Sequence, residues 1–104
     1  MDCIFCKIIN KELPTEVIFE NNNIIVIKDV NPKSKTHLLV IPKKHIESIK
    51  EIKEEDKELM GELLITARKV AEKKKLDNYQ LHINVGHGAG QIIDHIHMHL
   101  NSNN

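Results

Sequence analysis

Apolar residues come in short dense runs before residue 42 and at helical spacing from 53 to 75. Glu16 to Glu20 reads as a first strand, and Asn21-Asn22-Asn23 supplies the turn that follows it. Ile24 to Lys28 is an unbroken β-branched run, which predicts a strand buried on both faces. Asp29 to Lys35 contains Asn-Pro and reads as a loop; His37 to Ile41 is a third strand, ended by Pro42. From Lys53 to Lys75 the period changes: Leu59, Met60, Leu63, Leu64, Ala67, Val70 and Ala71 fall on one helical face. Lys73-Lys74-Lys75 favours the negative end of that helix dipole, and Asp77-Asn78 ends the helix. Tyr79, Leu81, Ile83 and Val85 then alternate with Gln80, His82 and Asn84, as in a half-buried strand. A loop with glycine at 86, 88 and 90 leads to a final strand, in which His95, His97 and His99 alternate with Ile96, Met98 and Leu100. Alternate side chains of a strand share a face, so the imidazoles line one surface while the apolar residues enter a core. The order β-β-β-α-β-β with hairpin-length connections predicts an α+β fold, an antiparallel sheet with a helix packed on it.

The 104 residues read as one domain, 1–104, without repeat or linker. Formal net charge is zero, with 15 basic and 15 acidic residues, which argues against a broad nucleic-acid or membrane surface. Arg68 is the only arginine. Any phosphate is therefore expected to meet backbone N–H groups and neutral side chains rather than arginine clamps. No apolar run approaches the ~20 residues that span a bilayer, and the N-terminus lacks the pattern of a signal peptide. The expected location is the cytoplasm, with Cys3 and Cys6 as reduced thiols.

The histidine ridge admits two chemistries. Neutral imidazoles bind metal, and an imidazole also attacks phosphorus to form a covalent phosphoramidate. The second use needs phosphate donors nearby. The loop from Gly86 to Gly90 can present backbone N–H groups, and Asn84 and Gln91 flank it with side-chain amides. His82 and His87 read as ordinary histidines, His37 as either a packing or a pocket residue, and Asp29 as either a turn residue or a ligand.

The order Asn84-Val-Gly86-His-Gly-Ala-Gly90-Gln91-x-x-x-His95-x-His97-x-His99 resembles the signature of the histidine triad (HIT) superfamily. Ile4-Phe5-Cys6-Lys7-Ile8-Ile9, Asp29-Val30-Asn31-Pro32 and the segment from Thr36 to Ile46 occur in that family's order too. The pattern is most similar to the Hint branch, the purine nucleoside phosphoramidases. The resemblance implies a sheet of about five antiparallel strands, one long helix and a short N-terminal helix or turn. It implies that His97 attacks the α-phosphorus and carries the nucleotidyl group. His99 and the N–H groups from Gly90 to Ile92 would stabilise the phosphoryl oxygens, with Asn84 and Gln91 positioning phosphate and leaving group. Asp29 would receive the ribose hydroxyls, and Phe5, Ile8, Ile27, Val30, His37 and Leu39 would form the base pocket. The implied substrates are purine nucleotides, AMP or GMP conjugates. The implied assembly is a homodimer, and no catalytic metal is expected.

Cys3-x-x-Cys6 has the spacing of half a zinc knuckle, although two cysteines alone also fit two reduced thiols near a terminus. The HIT proteins that carry this C-x-x-C complete the site with the histidine after the Lys-Lys pair and the first triad histidine. The implied site is Cys3, Cys6, His45 and His95, holding a structural zinc. Two departures stand out. Ile92 occupies a position where many Hint-type enzymes have Ser or Thr near the leaving group, so it offers only its backbone N–H. The triad is followed only by Leu100-Asn101-Ser102-Asn103-Asn104, a C-terminal extension that reads as short or absent. Dinucleoside polyphosphate hydrolysis and a nucleotide- or zinc-binding module with weak catalysis are the alternative readings, beside a hydrolase that uses all three histidines on a metal.

Overall fold

The structure, a computed structural model, describes residues 3–103; Met1, Asp2 and Asn104 lie outside it. Its elements are α1 (Ile4–Ile9), β1 (Val17–Glu20), β2 (Ile24–Lys28), β3 (Thr36–Pro42), α2 (Lys57–Lys73), β4 (Gln80–His82) and β5 (Met98–Ser102). The strands form one antiparallel sheet in the order β1-β2-β3-β5-β4. The last strand in sequence thus inserts between β3 and β4. The expected α+β architecture is present.

The continuous run in β2 is buried on both faces, as its composition requires. Ile24 and Val26 join Leu38 and Val40 of β3 and Met98 and Leu100 of β5 against Leu63, Ala67, Val70 and Ala71 of α2. Ile25, Ile27, Leu39 and Ile41 face the other way and are covered by Cys3, Phe5 and Ile8 of the α1 segment. Hence α2 closes one face of the sheet and α1 part of the other. His37 and His99 lie on that second face as well, at the wall of a cavity. Asn21 closes the β1–β2 turn by accepting at Oδ1 from the N–H groups of Asn23 and Ile24, both at 2.8 Å.

Both helices end in the same way. Lys11 and Lys75 adopt left-handed φ values of 64° and 60°. After α1, Lys11 N–H donates to Ile8 O and Glu12 N–H to Lys7 O; after α2, Lys75 N–H donates to Glu72 O and Leu76 N–H to Ala71 O. These are Schellman closures built on lysine instead of glycine. They stop α2 ahead of Asp77-Asn78.

Four local expectations change. The strand expected from Tyr79 to Val85 is confined to Gln80–His82. The helical spacing puts Leu64 on the buried face, yet it is 54% exposed, while Thr66 is buried. The helix proper starts at Lys57, after a 3-10 turn over Glu54–Asp56. The final strand starts at Met98, so His95 and His97 precede it. Pro42 ends the ladder there: it has no N–H, its carbonyl faces His95 Nε2, and Ile96 N–H instead donates to Ile46 O. The alternation survives nonetheless, since Ile96, Met98 and Leu100 all enter the α2 core.

Candidate active site and metal centre

The first cluster lies where α1 meets the segment before β5. Cys3 is the N-cap of α1, and its Sγ accepts from Cys6 N–H at 3.4 Å. His45 is held between two anchored neighbours. Lys44 Nζ donates to Asp56 Oδ1 over 2.7 Å, and Ile46 is buried. The Lys44 ammonium, with help from Lys53 N–H, holds the Asp56 carboxyl below its ordinary range. Cys3 Sγ lies 3.3 Å from His95 Nδ1, Cys6 Sγ 3.3 Å from His45 Nδ1, and the two Nδ1 atoms lie 3.0 Å apart. All four ligand atoms are within 4.8 Å of one another. A tetrahedral metal with two thiolates and two imidazoles has ligand–ligand edges of about 3.3–3.8 Å, given bonds near 2.3 and 2.0 Å.

The tautomer of His95 suits that use. Its Nε2 is 2.7 Å from Pro42 O, which only accepts, so Nε2 carries the proton and Nδ1 presents its lone pair to the cysteines. Burial pushes the His95 imidazole below its ordinary pKa, against the hydrogen bond to Pro42, and so favours the neutral, ligating form. Burial and the neighbouring Cys3 push the Cys6 thiol up, so two thiolates at this spacing need a cation to offset them. The donor set fits a closed metal site.

The second cluster opens onto a cavity of about 650 Å³. Phe5 separates the two clusters, with its ring edge-on to His95 at 5.8 Å and to His97 at 5.1 Å. His97 Nδ1 donates to His95 O at 2.8 Å, which leaves the lone pair on Nε2. His99 sits directly across from Leu39 of β3 and from His82 of β4. Facing residues on adjacent strands share a side of the sheet, and His82 stacks on His99 at 4.5 Å with 5° between the rings. His37 reaches His99 from β3, with Nε2 2.8 Å from His99 Nδ1. Burial, reinforced by the proximity of His97, His82 and His37, pushes His99 down to about 4. His37 is likewise lowered by burial, opposed by Asp29.

The structure brings Phe5, Ile8, Ile27, Val30, His37 and Leu39 to the walls of this cavity, with Asp29, Asn84, Gly90, Ile92, His97 and His99. Gln91 is the exception. The family resemblance puts it beside the phosphate, but its side chain is buried and bonded within the protein. Gln91 Oε1 accepts from Gly86 N–H at 2.9 Å, and Nε2 donates to Glu47 O at 2.6 Å and Ile93 O at 3.0 Å. It braces the glycine loop from within. Asn84 Nδ2 adds a second brace to Ala89 O at 2.9 Å.

The expected row of backbone donors is also shorter. Gly90 N–H donates to His87 O and Gln91 N–H to Gly86 O. Of the three residues from Gly90 to Ile92, Ile92 alone keeps its N–H without an internal partner among the described residues. The reason is the tight turn over His87–Ala89, closed by left-handed φ values of 91° at Gly86 and 95° at Gly90. His82, read from sequence as an ordinary histidine, is the residue missed. Its shared parity with Asn84 in the preceding alternating segment was the available signal. Lys28 and Lys33 also line the cavity and supply positive charge. His87 stays at the surface, bonded to Asp94 Oδ1 at 2.6 Å.

A family model described as "Scavenger mRNA decapping enzyme C-term binding" matches residues 2–104. Protein HitA of Neisseria gonorrhoeae is 37% identical over 100 residues, covering 95% of this chain and 94% of that one. The crystal structure of a HIT family hydrolase from Legionella pneumophila superposes with a TM-score of 0.96 at 44% identity, covering 99% of this chain and 94% of that one. A histidine triad nucleotide-binding protein from Candida albicans superposes with a TM-score of 0.87 at 32% identity, covering 95% and 73%. With the ordered histidines, the sheet order and these relatives in agreement, the chain belongs to the histidine triad family.

Proposed function

We propose that this protein is a nucleotide hydrolase or transferase that cleaves a phosphoramidate or phosphoanhydride bond at the α-phosphate of a purine nucleotide. The observation that carries the reading is the His97 tautomer. With Nδ1–H donated to His95 O, the lone pair on Nε2 is free for attack, and His97 lines the cavity beside His99. In the proposed reaction Nε2 attacks the α-phosphorus, and the bond to the leaving group breaks with its electron pair going to that group, which departs with a proton taken from solvent. Water then attacks the phosphorus of the nucleotidyl-His97 intermediate and gives up a proton to solvent, the N–P bond breaks with its electron pair returning to Nε2, and a nucleoside monophosphate leaves. Ile92 N–H and His99 would donate to the charge that develops on the phosphoryl oxygens. Asp29 would receive the ribose, and the apolar wall from Phe5 to Leu39 the base.

Cys3, Cys6, His45 and His95 would hold zinc in this reading. Four protein ligands leave no open position, so the ion would staple α1 to the segment carrying His97 and would take no part in the reaction. A homodimer in the cytoplasm completes the proposal.

The deciding experiment offers α-phosphate-labelled adenosine phosphoramidate to the wild type and to His97→Ala. Label retained by the denatured wild type and absent from the mutant supports the reading; label on the mutant excludes His97 as nucleophile. Comparing turnover of the phosphoramidate with that of a dinucleoside polyphosphate separates this reading from the alternative hydrolase. Binding of AMP without turnover of either substrate would favour an interaction module.

A further inference from the structure

Two clusters among the described residues have the composition of metal sites: Cys3, Cys6, His45 and His95, and Asp29, His37 and His99. Backbone groups decide differently for the two. In the first, Pro42 O takes the proton of His95 Nε2 and turns the Nδ1 lone pair inward. In the second, the backbone N–H of Lys33 lies 3.0 Å from His37 Nδ1 and can only donate. His37 Nδ1 is therefore an acceptor, and the ring carries its proton on Nε2. A protonated nitrogen cannot ligate a metal. That proton points to His99 Nδ1 at 2.8 Å and, at longer range, to Asp29 Oδ2 at 3.3 Å.

We propose that His37 is a positioning residue that sets the tautomer of His99. The chain of donors runs from Lys33 N–H to His37 Nδ1, from His37 Nε2–H to His99 Nδ1, and from His99 Nε2–H into the cavity. One hydrogen occupies the 2.8 Å gap between the two rings. Because His37 supplies it, His99 Nδ1 must accept, and the His99 proton is placed on the nitrogen left to face a ligand. The ligand group it suits is an anionic phosphoryl oxygen, which accepts and cannot donate. The His82 ring stacked on His99 and the tilted His97 ring at 5.1 Å limit other orientations of the imidazole. A doubly protonated His37 would set two donors, Nδ1–H and Lys33 N–H, against each other, and burial also keeps that ring neutral. The role given to the donated proton rests on the proposed function; the tautomers do not.

The test reads the tautomers directly, by long-range proton–nitrogen correlation spectra of the zinc-loaded protein with 15N-labelled histidine at neutral pH. His37 and His99 are both expected as Nε2–H imidazoles; His99 found as the Nδ1–H form overturns the proposal. In His37→Leu, His99 should become a mixture of the two forms. In His37→Gln, whose amide can donate from the place of Nε2, the single form should return. An unchanged His99 in His37→Leu overturns the proposal as well. With adenosine phosphoramidate, His37→Leu should lower kcat about tenfold or more, by misdirecting one oxyanion donor. His37→Gln should recover most of that loss, with KM moving less than kcat in both. Equal losses in the two variants would overturn the positioning role. The expected tautomers in a protein that turns over no nucleotide would remove the proposed function and leave the relay standing.

Discussion

His97 donates its Nδ1 proton to the carbonyl oxygen of His95 over 2.8 Å, while the His95 ring itself turns to Cys3. Neighbouring histidines of one motif are thus committed to different work. The backbone of His95 sets the protonation of His97, and its side chain joins Cys3, Cys6 and His45. If His97 is the nucleophile, His97→Ala should lower turnover by on the order of 10³-fold or more. Its buried neighbours keep their packing, so Tm should stay within a few degrees. Steady-state rates and thermal melts of the same preparation check both halves.

The cysteines should separate stability from chemistry. Cys3→Ser or Cys6→Ser should abolish stoichiometric zinc and lower stability by about 2 kcal/mol or more, near 10 °C in Tm. Single-turnover cleavage at a temperature where the mutant stays folded should change little. Metal analysis, thermal melts and rapid-quench measurements test this. A large loss of the chemical step in a folded, zinc-free mutant would assign the cluster to catalysis instead.

Acid should destabilise the protein through His99. Its pKa is pushed down to about 4 by burial and by the proximity of His97, His82 and His37, with Asp29 opposing. An unfolded histidine binds its proton near pH 6.5. Between about pH 6.5 and 4 the unfolded chain therefore holds the extra proton, so stability falls as pH falls through that window and is flat above it. Urea unfolding followed across this range should show a shallower slope in His99→Asn than in the wild type. Equal slopes would show that other groups carry the acid sensitivity.

The α2 terminus offers a stabilising change. Lys75 holds a left-handed φ of 60°, which costs an L-residue about 1 kcal/mol that glycine does not pay. Lys75→Gly should therefore raise unfolding stability by up to about 1 kcal/mol, less the added freedom of glycine in the unfolded chain. The urea midpoint measures it, and turnover should be unaffected because Lys75 does not line the cavity.

Much of the architecture is legible in residue order because it follows from local rules. The run from Ile24 to Ile27 demands cover on both faces, and α2 and α1 supply it. The alternation from His95 to Leu100 sorts imidazoles from core residues even where no ladder exists. The position of Cys3 at the N-cap of α1 makes the C-x-x-C spacing a one-turn clip. Leu64 escaped this logic, because a helical stripe wider than its contact leaves its margin in solvent.

The sequence by itself determined which residues alternate and where most of the turns fall, since these depend on neighbours a few positions away. Tertiary structure alone decided which groups each candidate side chain meets. Placing β5 between β3 and β4 sets His37 and His82 against His99, residues 62 and 17 positions from it in the chain. Folding of the glycine loop spends the Gln91 amide and two of three backbone donors internally. Pro42 O, His95 O and Lys33 N–H then fix where the protons sit on His95, His97 and His37. An imidazole in an unfolded chain exchanges its two neutral forms freely. It becomes a ligand, a nucleophile or a donor only when a backbone group distant in sequence, or fixed by the fold, is brought within hydrogen-bond reach of one of its nitrogens.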